Sequence, residues 1–258
     1  MIGIFDSGIG GLTVARAIEN TMPEASLLYF GDTAKTPYGT KSARVIIEYS
    51  LRNSEFLLEK GAKVIVIGCN SASSVAADIM RREFEVPVLE VIGPAAARAV
   101  SLSKSGRVGI IGTRATVNST IYEQRIGALN PSAKVFSVPC PLLVPLVEEG
   151  WTTKRETKMI LRRYLHPLRE QQIDTLILGC THYPLLKELI QARIGSKVTL
   201  IDSSVEAARA LRTLLSHTDS GACCRQPAEH AFYLTDITER ASRIAAKLFG
   251  RPLEFLSP

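Results

Sequence analysis

The feature that most restricts this chain is a local unit that occurs twice: a short apolar run, a glycine, a cysteine, then polar residues opening a helical pattern. In KVIVIGCNSASS (Lys63–Ser74) the run Val64–Ile67 leads into Gly68, Cys69, Asn70 and Ser71. In TLILGCTHYPLL (Thr175–Leu186) the run Leu176–Leu178 leads into Gly179, Cys180, Thr181 and His182, and Pro184 is placed to be the first residue of a helix. Apolar runs of this length read as strands buried on both faces. Each cysteine therefore stands at the carboxyl end of a core strand, where open α/β sheets bind their ligands.

The rest of the chain repeats around these units. Strand-like runs fall at Ile2–Phe5, Leu27–Phe30, Val64–Ile67 and Val88–Val91, and again, at similar intervals, at Val108–Ile111, Lys134–Ser137, Leu176–Leu178 and Val198–Ile201. Helical patterns lie between them, at Leu12–Asn20, Lys41–Lys60, Val75–Phe84 and Lys154–Gln171. Such alternation predicts parallel sheets flanked by helices. The matched spacing indicates an internal duplication of about one hundred residues, too long for a solenoid repeat. The expected fold is α/β, with two pseudo-symmetric domains, mainly parallel sheets and the active site at the domain interface. The first domain takes residues 1–94 and a returning segment, 205–258; the second takes 95–204. In the returning segment Ala231–Thr235 reads as a strand and Gly221–Pro227 as a loop.

Composition excludes several classes. Among 258 residues, 46% are apolar and 22% charged, as in ordinary soluble domains. No run approaches the ~20 apolar residues of a membrane helix, and the strand-like start IGIF is unlike a secretion signal. Five cysteines, an odd number without small-domain disulfide spacing, fit a reducing compartment, so a cytoplasmic protein is expected. The net charge of +6 is scattered over solvated helix faces, so neither a membrane nor a nucleic acid is the expected partner. The oligomeric state is not legible, and a homodimer is left open.

The cysteines differ in promise. Cys140, between two prolines, reads as a small buried apolar residue, and the adjacent Cys223 and Cys224 match neither a redox nor a metal motif. Cys69 and Cys180 each open a helix, whose N-terminus is expected to lower a thiol pKa from its free value near ~8.5. Two facing thiols could form a redox pair, bind a metal, or perform acid–base work on opposite faces of one carbon. The four histidines, His166, His182, His217 and His230, show no ligand spacing, so no metal is expected. No dinucleotide, flavin or pyridoxal phosphate motif is present, so no cofactor is expected. The glycines of FDSGIGGLT (Phe5–Thr13) read as a turn needing glycine dihedrals, leaving Asp6 and Ser7 exposed at the sheet edge to bind an ammonium or orient a base. GDTAKTPYGTKS (Gly31–Ser42) reads as a substrate wall. In VPLVEEGW (Val144–Trp151) periodicity does not choose between Glu148 and Glu149.

In combination FDSGIGGLT, GDTAKTPYG, GCNSASS, IGTRAT, PLVEEG and GCTHYPLL resemble the glutamate racemases, of the cofactor-independent Asp/Glu racemase family, from Ile2 to about Ser204. The resemblance implies two α/β domains with the site between them and interconversion of L- and D-glutamate for peptidoglycan synthesis. It further implies that Cys69 is the base for D-glutamate and Cys180 the base for L-glutamate, with Asp6 and His182 assisting and Glu148 as an acidic helper near His182. Ser7, Tyr38, Gly39, Asn70, Ser71 and Thr181, with Asp6 and His182, would bind the substrate. Ser71 stands where many members have threonine, and the hydroxyl is kept. A sister activity on aspartate or a hydantoin, and a redox-sensing or anion-binding module, are the alternatives.

Overall fold

The computed structural model describes residues 1–217 and 228–258. The apolar runs are strands, and those at the centre of each series are almost wholly buried. Ile2–Asp6 (β1), Leu27–Gly31 (β2), Val64–Ile67 (β3) and Val88–Glu90 (β4) form one series; Arg107–Gly112 (β5), Lys134–Pro139 (β6), Thr175–Gly179 (β7) and Thr199–Asp202 (β8) form the second. His230–Leu234 (β9) and Phe255–Leu256 (β10) follow. The first sheet has the order β10-β9-β2-β1-β3-β4 and the second β6-β5-β7-β8. Every neighbouring pair is parallel. Each series is thus ordered second-first-third-fourth. The duplication read from spacing reappears as identical topology.

The third strand of each series lies beside the first. Ile2 pairs with Val64 and Phe5 with Ile67, so the next residues along, Ser7 and Cys69, leave the sheet together. Gly112 pairs with Gly179, and Thr113 and Cys180 leave the second sheet in the same way. One continuous apolar core joins the two halves. It runs from Ile2, Ile4 and Val66 through Leu12, Ile18, Ala95, Ala99 and Leu211 to Val108, Ile110 and Ile177. The helices Leu12–Thr21, Ile92–Leu102 and Ser203–His217 form this shared layer. Outer cores, around Leu57, Ile65 and Met80 in one half and Leu161, Leu165 and Leu176 in the other, close the far faces.

Several boundaries depart from expectation. The helix after Cys69 starts at Asn70, five residues before the periodic pattern at Val75, because the Cys69 carbonyl already accepts the Ser73 N–H at 2.8 Å. Pro184 is the second residue of a 3-10 turn, Tyr183–Leu186, and the α-helix begins only at Lys187. Tight hydrogen bonds from Tyr183 N to the Cys180 carbonyl and from Leu185 N to the His182 carbonyl hold that turn. The two-residue β10 is too short to give a sequence signal. The Gly221–Pro227 loop and the paired Cys223 and Cys224 lie outside the described residues.

β9 pairs with β2 along five residues, and β10 pairs with β9. Phe232 in β9 is 4% exposed and lies against the rings of Tyr29, Phe249 and Phe255. Removing a buried phenylalanine leaves a cavity that the neighbours fill only in part. Phe232→Ala should therefore lower the unfolding free energy by about 3–5 kcal/mol, read as a shift of the urea midpoint at unchanged slope.

Candidate active site

Both thiols line one cavity. Its wall comprises Ser7, Tyr38, Gly39, Cys69, Asn70, Ser71, Cys180, Thr181 and His182, with Thr36, Pro37, Thr113 and Val144 beside them. The volume is about 20 Å³, room for roughly one water, so the cavity is narrow. The first sheet contributes the ends of β1, β2 and β3, and the second those of β5 and β7.

The two sulfurs have different neighbours. The Cys69 thiol donates to Ser7 Oγ at 3.6 Å. Cys180 Sγ lies 3.9 Å from His182 Nδ1, and His182 Nε2 lies 3.1 Å from Glu148 Oε1. Burial opposes charge on the imidazole, but the hydrogen bonds to Cys180 and Glu148 outweigh it and push the His182 pKa up to about 10. Glu149 turns away and pairs with Arg240 at 2.8 Å. Geometry therefore makes the choice between the adjacent glutamates that periodicity could not.

The expected lowering of the thiol pKa does not hold at Cys69. Burial and then the nearby Asp6 carboxyl push it up to about 12, against the smaller pull of the Ala72 N–H and Ser7. Asp6, expected to be exposed, is fully buried behind the cavity wall, as Ser7 largely is. Asp6 Oδ1 accepts the Gly8 N–H at 2.9 Å and Oδ2 accepts from Thr181 Oγ1 at 3.3 Å. Burial raises the Asp6 carboxyl pKa, opposed by His182 and these donors. Asp6 and Glu148 thus stand one layer behind the wall, each reaching it through another residue.

The glycines of the first loop serve a different end from the one expected. Gly8, Gly10 and Gly11 are not among the described residues with positive φ. A Cβ on Gly10 would fall against Thr181 Oγ1 and 2.5 Å from His182 Nδ1, and one on Gly11 would overlap the Asp6 side chain. The loop needs glycine for close approach, not for left-handed backbone. Gly39 has the same use across the cavity, where a Cβ would lie 2.6 Å from Thr113 Cβ.

Tyr38 is present, but its hydroxyl is spent elsewhere. It donates to Asp32 Oδ2 at 2.6 Å and accepts from Asn53 Nδ2 at 3.1 Å, which leaves its ring and backbone to the cavity. Thr113 was missed. Its hydroxyl meets Ser71 Oγ at 2.9 Å and caps the short helix Arg114–Asn118. It follows β5 as Ser7 follows β1, so the duplication itself could have marked it. Cys140 is buried under β6 and Tyr183, away from the wall, as a small apolar residue should be. Of the described cysteines, Cys69, Cys140 and Cys180, none is bridged.

A two-sheet α/β fold whose duplicated strand ends meet at one narrow cavity defines a class of enzyme, and comparison with known proteins places the chain in it. The family model for Asp/Glu/hydantoin racemases matches residues 12–211. A glutamate racemase of Geobacter metallireducens is 42% identical over 252 residues, 98% of this chain and 93% of the relative. The crystal structure of glutamate racemase isoform RacE1 from Bacillus anthracis superposes with a TM-score of 0.96 at 35% identity, covering 100% of this chain and 97% of that one. The glutamate racemase of Francisella tularensis, solved in complex with D-glutamate, gives 0.90 at 36% identity over 100% and 95%. The chain belongs to the Asp/Glu/hydantoin racemase family. It is an amino-acid racemase, an isomerase.

Two measurements check the electrostatics. Glu148→Gln removes a group that favours the imidazolium, so His182 should titrate about one to two pH units lower by imidazole NMR, while Glu149→Gln leaves it in place. Stability gives the sign independently. From pH 6.5 to about 10 the folded chain keeps a proton at His182 that the unfolded chain gives up, so stability falls as pH rises through that window. His182→Asn should flatten that part of the stability–pH curve.

Proposed function

We propose that the chain interconverts L- and D-glutamate by moving the α-proton between two thiols, with no cofactor. The observation that carries this reading is the placement of Cys69 and Cys180 at equivalent strand ends on one cavity wall. With L-glutamate bound, the Cys180 thiolate takes the α-proton: the Cα–H bond breaks and an S–H bond forms. The Cys69 thiol then gives its proton to the opposite face, which leaves D-glutamate and a Cys69 thiolate. The reverse direction exchanges the roles.

The surroundings favour this division. His182, held protonated by its bonds to Cys180 and Glu148, stands 3.9 Å from the Cys180 sulfur, while burial and Asp6 keep the proton on Cys69. Negative charge builds on the substrate carboxylate during proton removal, and the backbone N–H groups following each cysteine are donors for it. Ser7, Asn70, Ser71 and Thr181, with the Tyr38–Gly39 backbone, surround the space the substrate would fill. The division into residues 1–94 with 205–258 and residues 95–204 belongs to the same reading, as does a cytoplasmic enzyme feeding peptidoglycan synthesis. No helix of the described residues is long and apolar enough to cross a membrane.

Circular dichroism of L-glutamate incubated with the pure protein tests the reading; its decay to zero is expected, and an unchanged signal overturns it. Cys69→Ser should slow racemisation by about 10³-fold, a typical loss for an acid–base group. In deuterated water that variant should still exchange the α-hydrogen of L-glutamate, through Cys180, but not that of D-glutamate. Equal residual exchange from both enantiomers, followed by proton NMR, would refute one thiol per face. A two-thiol reaction draws on no added group, so activity should also survive exhaustive dialysis against chelator and hydroxylamine. Its restoration only by an added metal or pyridoxal phosphate would count against the proposal.

A further inference from the structure

The amide of Asn70 is held from both ends. Tyr122 Oη donates to Asn70 Oδ1 at 2.8 Å, and Asn70 Nδ2 donates to Ser203 Oγ at 3.3 Å. The Ser203 hydroxyl in turn donates to the Leu178 carbonyl at 3.1 Å. Every member of this chain is buried, Asn70 at 2% exposure. Counting hydrogens favours one direction. A carbonyl can only accept, so the single Ser203 hydroxyl hydrogen is spent on Leu178 and its oxygen must accept from Asn70. Burial, chiefly, raises the Tyr122 pKa well above its ordinary value, so the phenol keeps its proton and donates. The Asn70 oxygen faces Tyr122 and its nitrogen faces Ser203, an orientation that makes three hydrogen bonds; flipped, the amide could still donate to Tyr122, but the phenol hydrogen would lose its acceptor and the Ser203 hydrogen could serve only one of Leu178 and Asn70.

That nitrogen carries a second hydrogen, and none of the described groups accepts it. Asn70 also lines the thiol cavity. We propose that Tyr122 and Ser203 are positioning residues that lock the Asn70 amide so that its free N–H is offered to a carboxylate oxygen of the bound amino acid. This rests on the reading above, in which Asn70 binds substrate. The lock also spans both halves of the site. Asn70 follows Cys69, Leu178 lies in β7 two residues before Cys180, and Ser203 follows β8. The amide thus ties the strand end that carries Cys69 to the one that carries Cys180, and all three residues line the same cavity.

Initial rates with L- and D-glutamate, measured for wild type, Tyr122→Phe, Ser203→Ala, Ser203→Thr, Asn70→Ala and the Tyr122→Phe/Asn70→Ala double variant, test the assignment. Tyr122→Phe and Ser203→Ala should each raise KM about tenfold, the equivalent of one oriented hydrogen bond, with kcat changing far less. Ser203→Thr keeps the hydroxyl and should restore KM. In the Asn70→Ala background Tyr122→Phe should add less than about twofold, because its effect passes through the amide. An effect of Tyr122→Phe that persists undiminished without the Asn70 amide overturns the assignment. So does a fall in thermal midpoint with KM unmoved. Should Tyr122→Phe fail to fold, the serine pair decides by the same criterion. Wild-type turnover of glutamate is the control: its absence removes the functional reading and this inference with it, whereas turnover with KM unmoved in the variants removes this inference alone.

Discussion

Parallel pairing of the first and third strands in each half is the constraint on which everything else depends. Hydrogen bonds between β1 and β3 bring Ser7 to the side of Cys69, and those between β5 and β7 bring Thr113 to the side of Cys180. A slip of one residue would turn each cysteine to the opposite face of its sheet. The shared apolar layer from Ile4 to Ile177 then fixes one sheet against the other. The site is a by-product of two registers and one core. Its polar bridges hold the same alignment: Thr13 Oγ1, in the first half, lies 3.1 Å from the Thr181 carbonyl and 2.9 Å from Ser204 Oγ.

Symmetry of backbone does not extend to chemistry. The two halves share strand order, yet one sulfur sits beside a serine hydroxyl and the other beside an imidazole braced by a carboxylate. A duplicated fold supplies two equivalent places. Different side chains then surround them: burial and a carboxyl hold the proton on one thiol, while the other lies against a charged imidazole. The local field, more than the helix N-terminus, sets that difference. Cys69 caps the helix Asn70–Glu83 and still has a raised pKa, because removal from water and a neighbouring carboxyl outweigh the helix end.

Much of this was legible in the sequence. Short apolar runs match the eight strands of the duplicated series to within a residue or two, and in the central strands burial on both faces leaves a continuous signal. Motif resemblance named Ser7, Tyr38, Gly39, Asn70, Ser71, Thr181 and His182, and the cavity gathers all of them beside the two cysteines. Physical reasoning faltered where the answer depended on atoms brought close from distant parts of the chain. The glycines at positions 10 and 11 looked like turn formers because their crowding by His182 and Asp6 is not a local property. Asp6 looked exposed for the same reason, and the hydroxyl of Tyr38 could not be seen to belong to Asp32 and Asn53. Periodicity left Glu148 and Glu149 equal and the resemblance named Glu148; what sets the two apart is contact with distant residues, Glu148 meeting His182 and Glu149 pairing with Arg240.

The narrowness of the cavity has a consequence for entry. A space with room for about one water does not hold an amino acid. Anything larger than a water must displace part of the wall, and the wall residues come from the ends of strands in two separate sheets. Seating a ligand and rearranging the wall are then a single event, and part of the contact free energy goes into moving the protein instead of appearing as affinity.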